Sequence, residues 1–228
     1  MSNNTRDQFN DLLRSEGLNA GIIPVSNIPN EESRLNEVNR LGILNRDLDQ
    51  EAQYNALTQL AAIITKSQIG LINILGSNIQ QCKTNFGFNV LESTLTEEMP
   101  REISICQYSL ASPQEPLIIN DLFLDERTKH FKKLEAYENL RFYAGSPLIS
   151  SRGFSIGTLC VIDDKPKKIE HDQIEGLRLL ADQVVNMLEQ EFNDNSNQNI
   201  DPEDISNVVE TNRITKYFST HQFFLQIL

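Results

Sequence analysis

Hydrophobic and polar positions change period along this chain, and the changes mark its elements. From Glu32 to Asn45, the residues Leu35, Val38, Leu41 and Leu44 recur at spacings of three, which predicts a helix. Asp47 or Asp49 can cap a second helix running to about Lys66, with Leu57, Leu60, Ala61 and Ile64 on its apolar face. The period then changes. Ile69–Leu75 reads as a strand, Gly76-Ser77-Asn78 as a turn, and Ile79–Asn85 as the returning strand of a hairpin. Residues 86–101 read as loop, Ser104–Leu110 as a short helix and Leu117–Asn120 as a short strand. Asp121–Asn139 is mostly charged, with room for one or two helical turns.

The stretch from Leu140 to Gln173 carries the clearest pattern. Arg141–Ile149 is a strand with Phe142, Ala144 and Leu148 on one side of its alternation, and Ser150-Ser151-Arg152-Gly153 turns the chain. Phe154–Ile162 is a second strand, rich in β-branched and aromatic residues. Gly157 lies within it, and a glycine inside a strand weakens it unless another backbone must approach closely. Ile169 and Ile174 bracket Glu170 as a hydrophobic staple, with Gln173 at the capping-box position. The helix Glu170–Glu191 follows. Its stripe of Ile174, Leu177, Ala181, Val184 and Leu188, widened by Leu180 and Met187, suits a helix lying on a sheet. The heptad-like spacing also allows pairing with a second copy.

The flanks differ. Residues 1–31 hold a short helical pattern around Arg6–Leu13, then Gly17, Gly21, Pro24 and Pro29 break it, so a flexible N-terminal arm is expected. Residues 32–192 form the folded domain. The run NDNSNQNIDP at 193–202 reads as a polar linker, and residues 203–228 form a short tail with too few residues for a core of their own.

Several ordered blocks resemble the GAF family of small-molecule sensor domains over roughly residues 32–190. They are ESRLNEVNRLGIL (Glu32–Leu44), PREISICQYSL (Pro100–Leu110), PLIINDLFLDER (Pro116–Arg127), FYAGSPL (Phe142–Leu148) and IGTLCVID (Ile156–Asp163), with Pro166 and Gln173. The resemblance implies an α+β (α/β sandwich) fold. A central antiparallel sheet of five to six strands would carry the N- and C-terminal helices on one face and ligand-pocket loops on the other. It also implies a pocket lined by the short helix with Cys106 and Tyr108, the loop after Leu117–Asn120, and the strand Phe142–Leu148. Ile105, Phe142 and Tyr143 would supply its walls, and Ser104, Tyr108, Asp121 and Ser146 its hydrogen bonds. Plainer roles compete. Ser104 suits a helix N-cap, Asp121 a cap or turn, and alternation sends one of Phe142 and Tyr143 into the core.

Composition narrows the function. A net charge of -12 repels phosphate backbones and anionic membrane surfaces, so neither nucleic acid nor a membrane is an expected partner. No apolar run approaches the ~18 residues of a membrane span. The start MSNNTRDQFNDLL lacks the apolar core of a signal peptide. With Cys82, Cys106 and Cys160 odd in number and widely spaced, the expected setting is cytoplasmic, with reduced thiols.

No GxxxxGK loop, HExxH helix or GxSxG elbow occurs, and His130, His171 and His221 are scattered. No metal site and no cofactor are expected. Covalent bilin attachment, seen in some GAF proteins, needs a cysteine in the segment HFKKLEAYENL, which has none. His130 sits in the charged stretch KHFKK and reads as solvated, a poor haem ligand.

The resulting expectation is a sensory or regulatory domain without catalysis. It would bind an unidentified small molecule and signal to a partner protein through the helices Glu32–Asn45 and Glu170–Glu191, which would also form a homodimer. One alternative is an enzyme resembling a thiol-dependent free methionine sulfoxide reductase, centred on Cys106. That chemistry needs a second thiol, whereas Cys82 and Cys160 read as buried small residues. The other alternative is a ligand-free protein-interaction scaffold.

Overall fold

The computed structural model describes residues 3–48, 51–87, 98–134 and 137–198. The chain divides into two units, residues 1–188 and 189–228. Unit 1 contains a six-stranded sheet. Its strands are β1 (Ile69–Leu75), β2 (Ile79–Phe86), β3 (Glu98–Pro100), β4 (Leu117–Ile119), β5 (Phe142–Ile149) and β6 (Ser155–Asp163), in spatial order β3-β2-β1-β6-β5-β4. Every pairing is antiparallel. The helices are α1 (Asn3–Ala20), α2 (Glu31–Leu41), α3 (Ala52–Thr65) and α4 (His171–Gln198). The expected α+β class and antiparallel sheet are what the protein has.

Register decides which side chains share a face, because partners across an antiparallel ladder point the same way. Gly70 lies under the Thr58 carbonyl of α3, so the even positions of β1 face the helices. Gly70 pairs with Val161 and Ile72 with Leu159, while Val161 pairs with Ala144 and Leu159 with Ser146. The back face, which α3 covers, therefore holds Ile72, Ile74, Leu159, Val161, Phe142, Ala144, Ser146 and Leu148. The front face holds Leu71, Asn73, Leu75, Thr158, Cys160, Ile162, Tyr143 and Gly145. β1, β5 and β6 are covered on both sides, which is why they read as nearly unbroken apolar runs.

The stripe on α4 turns inward. Leu177, Leu180, Ala181, Val184 and Leu188 are all buried, each large aliphatic side chain contributing about 1.5–3 kcal/mol. Gly176 of α4 sits on Ile64 of α3, and Gln173 donates to the Ile64 carbonyl at 2.8 Å. The capping position forms too: the Glu170 N–H donates to Gln173 Oε1 at 3.1 Å. Gly157 sits where a Cβ would lie 2.1 Å from the Asn73 carbonyl oxygen, the close backbone approach that a glycine within a strand implies.

Five expectations are corrected. Residues 3–20 form the helix α1, with Gly17 lying on Ile103, instead of a loose arm; Ala20 and Ile22 are buried in the front core. The helix from Glu32 stops at Leu41 because Gly42 takes a left-handed φ of 64°, and Ile43–Asn45 continues as a 3₁₀ turn. Glu51 precedes α3 at its N-cap, so Asp47 does not cap it, and Asp49 lies outside the described residues. β3 forms inside the stretch expected as loop, its edge pairing set by β2. α4 continues through Asn193 to Gln198, where the polar linker was expected to begin. The tail at 203–228 lies outside the described residues.

Candidate functional site

The front face is covered by the 3₁₀ segment Ile105–Ala111, the turns after β4, and the residues that follow α1. Ser104 starts the 3₁₀ segment by accepting from the Gln107 N–H at 3.2 Å, the capping role its type favours. Gln107 is held from both sides, donating to the Glu102 carbonyl at 2.5 Å and accepting from the Val25 N–H at 2.8 Å. The Tyr108 hydroxyl donates to the Ile23 carbonyl at 3.1 Å. It therefore ties down the N-terminal segment; burial pushes its pKa up to about 12.

Cys106 points from this cover onto the sheet, and four polar side chains gather around its sulfur. Tyr143 OH donates to Sγ at 3.3 Å and Asn73 Nδ2 at 3.5 Å. Asn73 Nδ2 also donates to Cys160 Sγ at 3.4 Å, so one amide bridges two thiols. That shared amide makes the Cys160 thiol a neighbour of the Cys106 sulfur. Thr158, the cross-strand partner of Asn73, has a buried hydroxyl that makes no hydrogen bond among the described residues.

These neighbours, Cys160 foremost, outweigh the burial that would raise the Cys106 pKa, and hold it down to about 7. The neighbouring Cys106 sulfur, together with burial, pushes Cys160 well up. Burial and the neighbouring sulfurs keep Tyr143 protonated. All five residues are buried.

The expected site residues separate. Ile105, Cys106 and Tyr143 meet in the front core, with Ser104 beside them as the cap. Phe142 and Ser146 belong to the opposite face by strand alternation. The Phe142 ring lies under the Lys167 ammonium at 4.8 Å, and Ser146 is buried toward the helices. Asp121 acts as a brace: it accepts from the Phe123 N–H at 3.0 Å and takes both prongs of Arg141 at 2.6 and 3.0 Å. The Arg141 hydrogen bonds hold its carboxyl below the usual range.

Asn73, Thr158 and Cys160 were missed as site residues. The available signal was Asn73 itself, a lone amide inside the apolar strand IGLINIL. Phe131 and Tyr137 were missed as well. They stack edge to face at 4.8 Å within the cover, where the charged segment looked solvated.

One polar group here lacks a partner. Asn73 Oδ1 is buried with no hydrogen bond among the described residues, and so is Gln80 Oε1, on the same face of the sheet. An orphaned buried acceptor costs about 1–3 kcal/mol. Among the described residues, no three histidine, cysteine or acidic side chains group to hold a metal ion.

Residues 49–188 match the GAF domain family. The chain belongs to that family. The GAF domain of an Acinetobacter phosphoenolpyruvate-protein phosphotransferase has a similar fold, with a TM-score of 0.51 at 14% identity, over 73% of this chain and 96% of that domain. A far-red cyanobacteriochrome photoreceptor superposes equally well, with a TM-score of 0.51 at 16% identity over 69% of this chain and 96% of its own. A type II free methionine-R-sulfoxide reductase from Thermoplasma acidophilum gives a TM-score of 0.50 at 14% identity, over 61% and 92%. At these identities the likeness is one of fold.

In sequence, this GAF protein is 29% identical over 137 residues to a cyclic di-GMP phosphodiesterase of Pseudomonas aeruginosa. The match takes in 60% of this chain but 22% of that protein, so the chain spans about a fifth of its relative's length. GAF domains are a sensory family, and among the described residues no helix is long and apolar enough to cross a membrane.

Proposed function

We propose that this chain is a sensory or regulatory GAF module that binds a small polar molecule at the front face and performs no catalysis of its own. The observation that carries the reading is Asn73 Oδ1, a buried acceptor without a partner among the described residues, in the middle of an apolar face. Gln80 Oε1 adds a second such acceptor on that face. A ligand offering N–H or O–H donors would satisfy both, with Ile105, Leu71 and Tyr143 as apolar walls. The cover over this face is made of turns and 3₁₀ segments, which open more readily than regular helix.

Transmission would run through the sheet. Arg34 of α2 donates to the Leu75 and Ser155 carbonyls, one on each strand at the same end of the β1–β6 pair, and α4 packs on α3 at Ile64. A ligand need only shift by a few kcal/mol the balance between two packings of these helices. A homodimer would present α2 and α4 to their counterparts. The stripe on α4 is used internally, which leaves Leu179 as its exposed large apolar residue; Leu60 and Ile63 of α3 are exposed as well. A signalling partner protein would read the same helices.

A scaffold that needs no ligand is the second reading. It is favoured by the packing of Tyr143, Phe131 and Cys106, which fill the space beneath the cover.

Native mass spectrometry of freshly purified protein tests both readings, followed by titration with cyclic nucleotides, cyclic dinucleotides and amino acids. A retained or added mass that is lost in Asn73→Leu is the expected result. An unchanged mass and unchanged amide spectra across the panel would leave the scaffold.

A further inference from the structure

We propose that Cys106 and Cys160 form a dithiol that a peroxide oxidises to a disulfide, locking the 3₁₀ cover segment onto the central strand. The geometry carries this. One thiol sits on the cover and the other in mid-sheet, and the Asn73 amide touches both sulfurs, at 3.5 and 3.4 Å. The donors on Cys106 are neutral groups that a sulfur anion accepts from, the Asn73 amide and the Tyr143 hydroxyl. A structural cysteine in an apolar core needs none of them.

The chemistry closes without other components. The Cys106 thiolate attacks one peroxide oxygen, the O–O bond breaks, and the departing oxygen leaves as water after taking up a proton. Cys106 is then a sulfenic acid. The Cys160 sulfur attacks it, the S–O bond breaks, and hydroxide leaves as a second water with the Cys160 proton. Two thiols lose two electrons, and one hydrogen peroxide becomes two waters.

Both thiols are buried, so the rate is set by opening of the cover. The step does not depend on the ligand proposed above. Tyr143 reports it, because its hydroxyl loses the Cys106 thiolate as acceptor.

The full chain, treated with hydrogen peroxide and alkylated under denaturing conditions, provides the test by intact mass and peptide mapping. The expected result is a loss of two hydrogens per chain and a peptide linking Cys106 to Cys160, with a parallel change in the near-ultraviolet circular dichroism of tyrosine. Cys82→Ser retains the link. Cys160→Ser leaves Cys106 as a sulfenic acid that dimedone traps. Cys106→Ser abolishes the link and at least tenfold of the peroxide consumption. Oxidation confined to Cys82, links only between chains, or a Cys160→Ser protein in which dimedone labels no Cys106 would each overturn the proposal. Circular dichroism of every variant before oxidation confirms the fold. A ligand seen by native mass spectrometry without this link would refute the dithiol and leave the sensory reading standing.

Discussion

The Tyr143 hydroxyl donates to the Cys106 sulfur at 3.3 Å, joining the central sheet to the segment that covers it. Because Cys106 is held to about 7 against an ordinary 9.0, its thiolate contributes stability that is fully present above about pH 9 and fades as the pH falls through about 7. Cys160, pushed up, contributes in the opposite sense: its share is present below its ordinary value and fades as the pH rises through the raised one. Between pH 7 and 9 the Cys106 effect rises. Ultraviolet absorbance of the thiolate should show a midpoint near 7 in the wild type. The midpoint should disappear in Cys106→Ser and move upward in Tyr143→Phe. A wild-type midpoint near 9 would refute the arrangement.

Gly145 lies under the Tyr143 ring, where a Cβ would come 2.4 Å from the hydroxyl oxygen. Gly145→Ala must displace the tyrosine, an overpacking cost of about 1–3 kcal/mol. Urea denaturation should show that loss, and the Cys106 titration should move back toward an ordinary thiol.

Arg34 anchors α2 to the sheet. It is buried and donates to the carbonyls of Leu75, Gly76 and Ser155, at 2.7, 3.2 and 3.3 Å, and to Glu31. Arg34→Met keeps most of the bulk but orphans those acceptors. It should lower unfolding stability by roughly 2–4 kcal/mol by chemical denaturation.

Acid should weaken the same junction. Burial raises the Glu31 pKa, but the hydrogen bonds of Arg34 and Arg101 bring it below the usual value. Arg40 does the same, foremost, for Glu37. The stability these carboxylates contribute is present above the ordinary carboxylate value and is lost as the pH falls through the lowered one. Stability measured from pH 6 down to 3 should fall more steeply in the wild type than in the Glu31→Gln, Glu37→Gln double variant.

If Leu60, Ile63 and Leu179 face a second copy, Ile63→Glu with Leu179→Glu should convert a dimer to a monomer in sedimentation velocity at micromolar concentration, leaving the melting temperature of the monomer unchanged within a few degrees. A wild-type monomer would remove the homodimer.

The central strands, the hairpin and the last helix were legible because apolar period is a local property of the chain. Ile69–Leu75 matches β1 end to end. α1 was not, because Gly17 looks like a breaker until Ile103 lies against it from 86 residues away. The short strand β3 has no periodicity of its own and exists by pairing with β2. The site split in the same way. The blocks of motif grouped Cys106 and Tyr143, which meet on the front face, with Phe142 and Ser146, which lie on the opposite one, because which side of a strand meets the helices depends on register.

The sequence by itself determined the antiparallel α+β sheet, the membership of its blocks in one sensory family, and the acidic surface, since each follows from residue order and composition. Only the tertiary structure decided that Cys106 meets Cys160 across Asn73. Those residues lie on a cover segment and two strands, and no spacing along the chain encodes a contact that arises when a front layer closes on a sheet.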